Sequence, residues 1–298
     1  MATTPAAATT LVVEQRASRG LWRDAFTRLR RNKPALLGMV FITLFVVVAL
    51  FAPLIAPFDP NKGGLGASFE APSREHLAGL DKLGRDELSR VIYGARISLF
   101  VGIVSVTVGL FLGGIVGAIA GGLGGKIDTV LMRATVVMLS IPGILLAIGI
   151  VAWLGQGLPQ IMLAVAITNA PIFARILRGS LLSLREAEFV TVARSIGASR
   201  NRILVRHMVP NALTALIVAA TLALATAVID VAGLGFLGLG PPDPRTAEWG
   251  TMLTDSVEAL RRAPHLIFVP GIAIVISAIG FNLLGDGLRE SLDPRLKR

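Results

Sequence analysis

Four groupings of side chains in this sequence have the composition that chemistry requires, and each can be tested by its spacing. His76, His207 and His265 are the only histidines; they stand far apart, and no His-Glu-x-x-His pattern links them as a zinc hydrolase needs. The run GGLGGKID at 121–128 mimics a phosphate loop, but Ala120 stands where the first glycine belongs and Ile127 where Ser or Thr must reach the magnesium ion. Gly233, Gly235 and Gly238 have the spacing of a dinucleotide fingerprint without the strand–helix–strand context that gives it meaning. Asp81, Asp86 and Glu87 resemble a carboxylate cation site, yet Lys82, Arg85 and Arg90 interleave with them, so local ion pairs are the better reading. There is no cysteine, which removes thiol catalysis, disulfides and cysteine metal sites. The residues therefore assign no catalytic set, no metal site and no cofactor, and the chain reads as non-catalytic.

What remains is recognition and motion, and one stretch stands apart for both. From 183 to 211 the chain reads SLREAEFVTVARSIGASRNRILVRHMVPN, a polar, arginine-rich segment between two apolar runs. Arg175, Arg178, Arg185, Arg194, Arg200, Arg202 and Arg206 crowd its neighbourhood, against Glu186 and Glu188 alone. Phe189, Val192, Ile196 and then Ile203 and Leu204 recur at helical spacing, with a break at Gly197. The pattern predicts two short helices joined at a glycine, with one apolar face lying on the membrane or on a partner.

The elements that must hold this stretch are membrane spans. The chain has 298 residues, of which 53% are apolar and only 16% charged, and a mean hydropathy of +0.71, where a soluble domain is about a quarter charged. Six apolar runs approach or reach the roughly 20 residues that cross a bilayer: 35–52, 97–120, 130–154 with a bend at Pro142, 158–176 with Asn169 and Pro171 inside, 212–231, and 267–284. In the second run Gly113, Gly117 and Gly121 fall four apart on one face, where they permit close helix packing in lipid. Asn169, a polar residue at membrane depth beside a proline, is a candidate for lining a water-filled path, with a helix–helix hydrogen bond as the alternative. Residues 1–34 form a tail in which Leu21, Phe26 and Leu29 alternate with Arg23, Arg28, Arg30, Arg31 and Lys33, the pattern of an amphipathic helix on an anionic leaflet. The basic region before the first apolar run is too long, and that run too extended, for a cleaved signal. The divisions that follow are 1–34, a first helix over 35–56, an outer segment over 57–95, a five-helix domain over 96–287 with its loop at 180–210, and a tail over 288–298.

Six spans place both termini on the same side. With those termini inside, inner segments carry 20 of the Lys and Arg residues and outer segments 9, while acidic residues lean outward, 11 against 8. This asymmetry satisfies the positive-inside rule and also accounts for the net charge of +10 better than nucleic-acid binding does. The outer segment 243–262 has room for a short interfacial helix.

The loop resembles the EAA loop of the permease subunits of bacterial ABC importers: Glu-Ala-Ala, three residues, Gly, nine residues, then Ile-x-Leu-Pro. Anchored on Gly197 and Pro210, the pattern places Thr191, Val192 and Ala193 at Glu-Ala-Ala, and His207, Val209 and Pro210 at Ile, Leu and Pro. The leading glutamate is absent, as is common in the dipeptide/oligopeptide/nickel branch. That branch is also resembled by Gly79-Leu80-Asp81 with Gly84-Arg85-Asp86, by FLGLGPP followed by WGTML, and by FNLLGDGLRESLDPRL near the C-terminus. Where the family has a glutamate five residues before the phenylalanine of FLGLGPP, this chain has Val231, with Asp230 one residue earlier. The resemblance implies an all-α polytopic membrane protein with the six-helix type I ABC importer permease fold and a cytoplasmic coupling helix. It implies a bacterial inner-membrane location, a second permease subunit in a heterodimer, two ATP-binding subunits, an extracytoplasmic substrate-binding protein and no nucleic acid. Peptide is the implied cargo, with nickel, glutathione or another solute as alternatives. ATPase coupling falls to Thr191, Ala193, Arg194, Gly197, Ala198, Arg202 and Pro210, with the small residues seated in a groove and the two arginines pairing with acids; Asp230 joins Asn169 as a path candidate. A self-sufficient secondary transporter stays open, but it needs intramembrane acids and often internal repeats. A membrane-embedded enzyme would need the catalytic set that is missing here.

Overall fold

The computed structural model describes residues 26–292, and among these every regular element is a helix. Helix α1, Lys33–Leu50, starts at Asn32, whose side chain accepts the Ala35 N–H at 3.0 Å, with Pro34 in the first turn where its missing N–H costs nothing. A short turn, Ala52–Ile55, follows it. Helix α2, Glu87–Leu123, runs unbroken for 37 residues and is capped by the Asp86 carboxylate, which accepts the Ser89 N–H at 2.8 Å. At 1.5 Å per residue this is about 55 Å, well beyond a bilayer core of about 30 Å. The predicted span at 97–120 is thus only the middle of a longer rod.

The expected third span is not a gently bent helix. It is two helices, α3 (Gly125–Ser140) and α4 (Gly143–Leu154), set at 94° to one another. The break is local chemistry: Ile141 precedes Pro142, whose ring drives it out of the helical region to an extended ψ of 129°. Helix α5, Leu158–Arg185, carries Pro171 within it and continues well past the expected limit at 176. Then come α6 (Glu188–Ser195) and α7 (Arg200–Ile203), a π-helical stretch Leu204–Met208, and α8 (Val209–Leu234), so that the fifth apolar element is continuous from Arg200 to Leu239. Helix α9, Trp249–Ser256, and α10, His265–Leu292, complete the chain. Of the amphipathic helix expected at 21–34, Leu21 and Arg23 lie outside the described residues; Leu29 is buried beside Gly287 of α10 and so packs on the protein rather than on lipid. The basic tail is described only as far as Leu292.

Helices α2 and α5 form the central pair. Gly109, Gly113, Gly117 and Gly121 lie along one side of α2, and the first three face the backbone of Ala166, Ala170 and Ala174 in turn. A methyl on Gly109 would lie 2.8 Å from the Ala166 carbonyl oxygen, and one on Gly117 would lie 2.6 Å from that of Ala174. In lipid, where apolar burial gains little, such close approach supplies the packing energy. Phe173, Leu177 and Leu181 of α5 fill the core beside this seam with Val101, Val106 and Val231. A second core gathers Trp249, Ala225, Val228, Ala273 and Phe281, binding α8, α9 and α10.

The segment between α1 and α2 folds into a polar cap. Asp81 accepts the Arg85 Nε–H at 2.6 Å and lies 3.6 Å from Arg90 Nε, and Arg85 also donates to the Pro244 carbonyl at 2.7 Å. Asp86 pairs with the Nδ1 of His76 at 3.0 Å. Of the interleaved basic residues, Arg85 and Arg90 pair with Asp81, whereas Lys82 reaches away to Asp255 at 2.6 Å and Glu87 has no ion pair among the described residues. Among the described residues no group of three His, Asp or Glu side chains is placed to hold a metal ion.

Helix α9 is not interfacial. Trp249 is fully buried, edge-on to Phe45 with centroids 5.6 Å apart, and donates its Nε1–H to the Val91 carbonyl at 3.0 Å. Glu248, also fully buried, caps the helix by accepting the Gly250 and Thr251 N–H groups, both at 2.9 Å, and the Ser98 hydroxyl. Burial pushes the Glu248 pKa above its ordinary 4.5, against these donors, which hold it down. A raised folded-state pKa means stability present in acid and lost as pH climbs from 4.5 through the elevated value. Thermal melts in detergent should therefore show a stability component that falls with rising pH and that is absent in Glu248→Gln. Superposable pH profiles for the two proteins would refute it.

Candidate functional site

Helix α6 ends because of one residue. Gly197 has a φ of +83°, which an L side chain adopts only under strain. Its N–H returns to the Arg194 carbonyl at 2.9 Å and the Ala198 N–H to that of Ala193 at 3.0 Å, the paired reverse bonds of a Schellman C-cap. Ala193 and Ala198, the hydrophobic pair of this cap, pack against the chain's own core, so they do not form an outward groove-seating surface. Val190, Ile203 and Met208 are buried with them.

The other side of α6 faces out. Phe189, Val192 and Ile196, at helical spacing, are 39%, 60% and 80% exposed. The single apolar face expected from 189 to 204 therefore divides in two: an inner set that seats the loop, and an outer set left without a partner. Thr191, Arg194 and Arg202 are exposed, and Arg194, two residues from both Val192 and Ile196, lies on the opposite side of α6, over a small pocket that it lines with Gly121, Gly122, Arg185 and Arg200. The side chains of Arg194 and Arg202 make no hydrogen bond or ion pair among the described residues, so both charges are free for a partner.

Three of the remaining arginines are committed inward. Arg178 forms a two-point pair with Asp128 of α3, its second contact at 2.7 Å. Arg185 donates to the Gly121 carbonyl at 2.8 Å, and Arg200 to the carbonyls of Gly122, at 3.0 Å from Nε, and Leu123. The C-terminus of a helix leaves four carbonyls without partners and carries partial negative charge. In α2 the fourth, Ala120, is bonded by the Gly124 N–H at 3.0 Å, so all four are satisfied and three of them by loop arginines. Sequence reasoning grouped all seven arginines as one basic loop. The shortage of local acids was the signal that could have divided them, since guanidinium groups without carboxylates must find other acceptors.

Pro210 sits in the first turn of α8, directly after the π-helical stretch. A proline inside a continuous helix removes an N–H and crowds the preceding turn, and the wider π turn accommodates it. Asn169 is 6% exposed and donates to the Val165 carbonyl of its own helix at 2.8 Å, so it makes no helix–helix hydrogen bond and is packed within the chain. Asp230 is half-buried in α8 and has no hydrogen-bond or ion-pair partner among the described residues.

Comparison with known proteins places this geometry. Residues 113–298 match the family described as the binding-protein-dependent transport system inner membrane component, and residues 20–72 match the N-terminal TM domain of oligopeptide transport permease C. The dipeptide transport system permease protein DppC of Alkalihalophilus pseudofirmus is 45% identical over 93% of this chain and 90% of its own length. The oligopeptide transport system permease protein OppC of Bacillus subtilis is 40% identical over 94% of this chain and 92% of its own length. The glutathione transport system permease protein GsiD of Pectobacterium atrosepticum is 40% identical over 97% and 96%. Among solved structures, the inward-facing MetNI methionine ABC transporter superposes with a TM-score of 0.58 at 22% identity, covering 68% of this chain and 96% of that one, which establishes likeness of fold.

Proposed function

We propose that this chain, which belongs to the family of binding-protein-dependent transport system inner membrane components, is a permease subunit of an ATP-driven importer of di- or oligopeptides. The peptide reading rests on the two relatives named above for dipeptides and oligopeptides. The relative named for glutathione, itself a small peptide, fits the same class.

The observation that carries the proposal is the outward face of α6. An eight-residue helix and its C-cap display Phe189, Val192 and Ile196, and the same loop carries the unpaired guanidinium groups of Arg194 and Arg202, on a turn held firmly to the body of the protein. A helix with apolar anchors at this spacing is built to lie in a groove of another protein. We assign that groove to an ATP-binding subunit, two of which would serve a pair of permeases, with a substrate-binding protein delivering cargo at the opposite face. The excess of basic residues around the loop supports a cytoplasmic position for it and an inner-membrane setting for the whole. Thr191, Arg194 and Arg202 then contact the ATPase directly, while Ala193, Gly197, Ala198 and Pro210 shape the loop that presents them. Closure of the ATPases moves α6, and the packed helices rock between two arrangements. Asp230 is our candidate for the path: an unpaired carboxylate in a span is costly unless it meets water or a second subunit.

The test is co-purification. Tagged and gently extracted from its own membranes, the chain should bring ATP-binding subunits, a second permease and a binding protein. With Ile196→Glu the chain should insert normally but hold its ATPase at least about 100-fold more weakly, because a charge is buried without a partner in an apolar contact. Undiminished retention of the ATPase by this variant would remove α6 as the docking element. A chain that emerges alone would remove the importer reading itself.

A further inference from the structure

We infer that Arg185 and Arg200 are positioning residues that clamp the α6 loop to the cytoplasmic end of α2, so that any displacement of α6 is delivered to α2 and not absorbed by the loop. The inference rests on the docking role proposed above for α6. Its basis is a set of contacts that the glycine-rich run 121–125 makes possible. Three consecutive carbonyls, Gly121, Gly122 and Leu123, are bonded by guanidinium groups from both ends of the loop: Arg185 at the close of α5 and Arg200 at the opening of α7. These residues bracket α6 in sequence, so the loop is pinned on either side of the docking helix.

The glycines are what let the loop come so near. A methyl on Gly122 would strike the Leu204 side chain, and Gly121 lies against Leu181 and Arg178. Gly124, at a φ of +68°, turns the chain away into α3 and leaves the end of α2 open to the arginines. The run that resembles a phosphate loop is thus a receptor for the chain's own cations, with carbonyl oxygens where a phosphate loop presents N–H groups. The Arg178–Asp128 pair fastens α3 to α5 beside the clamp, which makes the whole corner one body.

Other groups here do not serve this purpose. Arg194 lines the small pocket between the loop and the end of α2 together with Arg185 and Arg200, but its side chain makes no bond, and Arg202 is exposed. The clamp uses hydrogen bonds to carbonyls, which a lysine in place of arginine satisfies only in part, since it lacks the planar fork that spans two acceptors.

The experiment compares the complete transporter carrying wild-type chain, Arg185→Ala/Arg200→Ala, or Arg200→Lys. The double variant should retain its ATP-binding subunits, since the face of α6 is untouched, and should still hydrolyse ATP. Peptide transported per ATP hydrolysed should fall about tenfold, within the range of coupling between sites, with Arg200→Lys intermediate. Because this chain has no native cysteine, Lys126→Cys and Ser195→Cys can carry spin labels with no background from the chain itself. The distance distribution between them should be narrow in the wild type and broad in the double variant. An unchanged ratio with ATPase retained, or an unbroadened distribution, would overturn the clamp while leaving α6 docking intact. If the wild-type complex holds no ATPase, the docking proposal fails first.

Discussion

Replacing Gly197 with proline leaves the chain inserted and folded across the membrane but abolishes transport. Proline fixes φ near −65°, whereas this position stands at +83°, so the turn that ends α6 cannot form. The substitution also removes the N–H that bonds the Arg194 carbonyl. Together these cost about 3 kcal/mol or more locally, a factor of roughly 100 in occupancy of the native turn. The turn itself lies outside the spans, at the edge of the core, so yield and thermal stability in detergent should fall far less than uptake. Uptake should fall at least about 100-fold, with weakened retention of ATP-binding subunits. Gly197→Ala should be milder, because nothing lies within 4 Å of the added methyl and only the backbone strain remains. Full ATP-driven uptake by the proline variant would sink the assignment of this turn to coupling.

Gly117→Leu should act at the opposite level, on the fold itself. The first carbon of the new side chain would stand 2.6 Å from the Ala174 carbonyl oxygen and 3.0 Å from the Leu177 side chain. Those contacts are backbone and a buried core residue, neither of which can yield, so α2 and α5 must separate. Overpacking a core costs about 1–3 kcal/mol even where side chains can adjust, and here the seam of the central pair is opened. The protein should fail to accumulate, or melt far below wild type. Gly114→Leu, on the same helix with open space around it, is the control and should be tolerated. Equal stability of the two variants would show that α2 and α5 do not depend on this seam.

Much of this arrangement was legible in the sequence because it depends on local rules. Apolar runs marked the spans, and the break at Gly197 between helical repeats marked the turn, since a positive φ is a property of one residue. What was not legible depends on meeting across the chain. The periodicity of Phe189, Val192 and Ile203 is equally compatible with one face or two, and only packing against Leu181 and Met208 decides which side is buried. Arg185 and Arg200 read as solvated loop charges because their acceptors are backbone carbonyls more than 60 residues away, and backbone carries no sequence signature. Helix lengths were underestimated at α2 and α5 for a related reason. Hydropathy ends where polar residues begin, while a helix continues as long as its polar turns find partners, as Ser89 and Arg90 do against the folded outer cap.

The unbroken course of α2 has a consequence for how this gene can vary. One helix carries three features in a fixed angular relation: the Asp86 cap and its buried pairs at one end, the glycine stripe in the middle, and the arginine-bound carbonyls at the other. Each residue inserted or deleted turns everything beyond it by about 100° and shifts it by about 1.5 Å. No single-residue change of length between Arg90 and Gly121 can leave both ends and the seam in phase. An insertion long enough to restore the phase, of seven or eleven residues, would lengthen the rod by at least about 10 Å and part it from its neighbours. Length should therefore be inherited without change through α2, while insertions and deletions collect in exposed stretches such as 61–68, where no helical phase has to be kept.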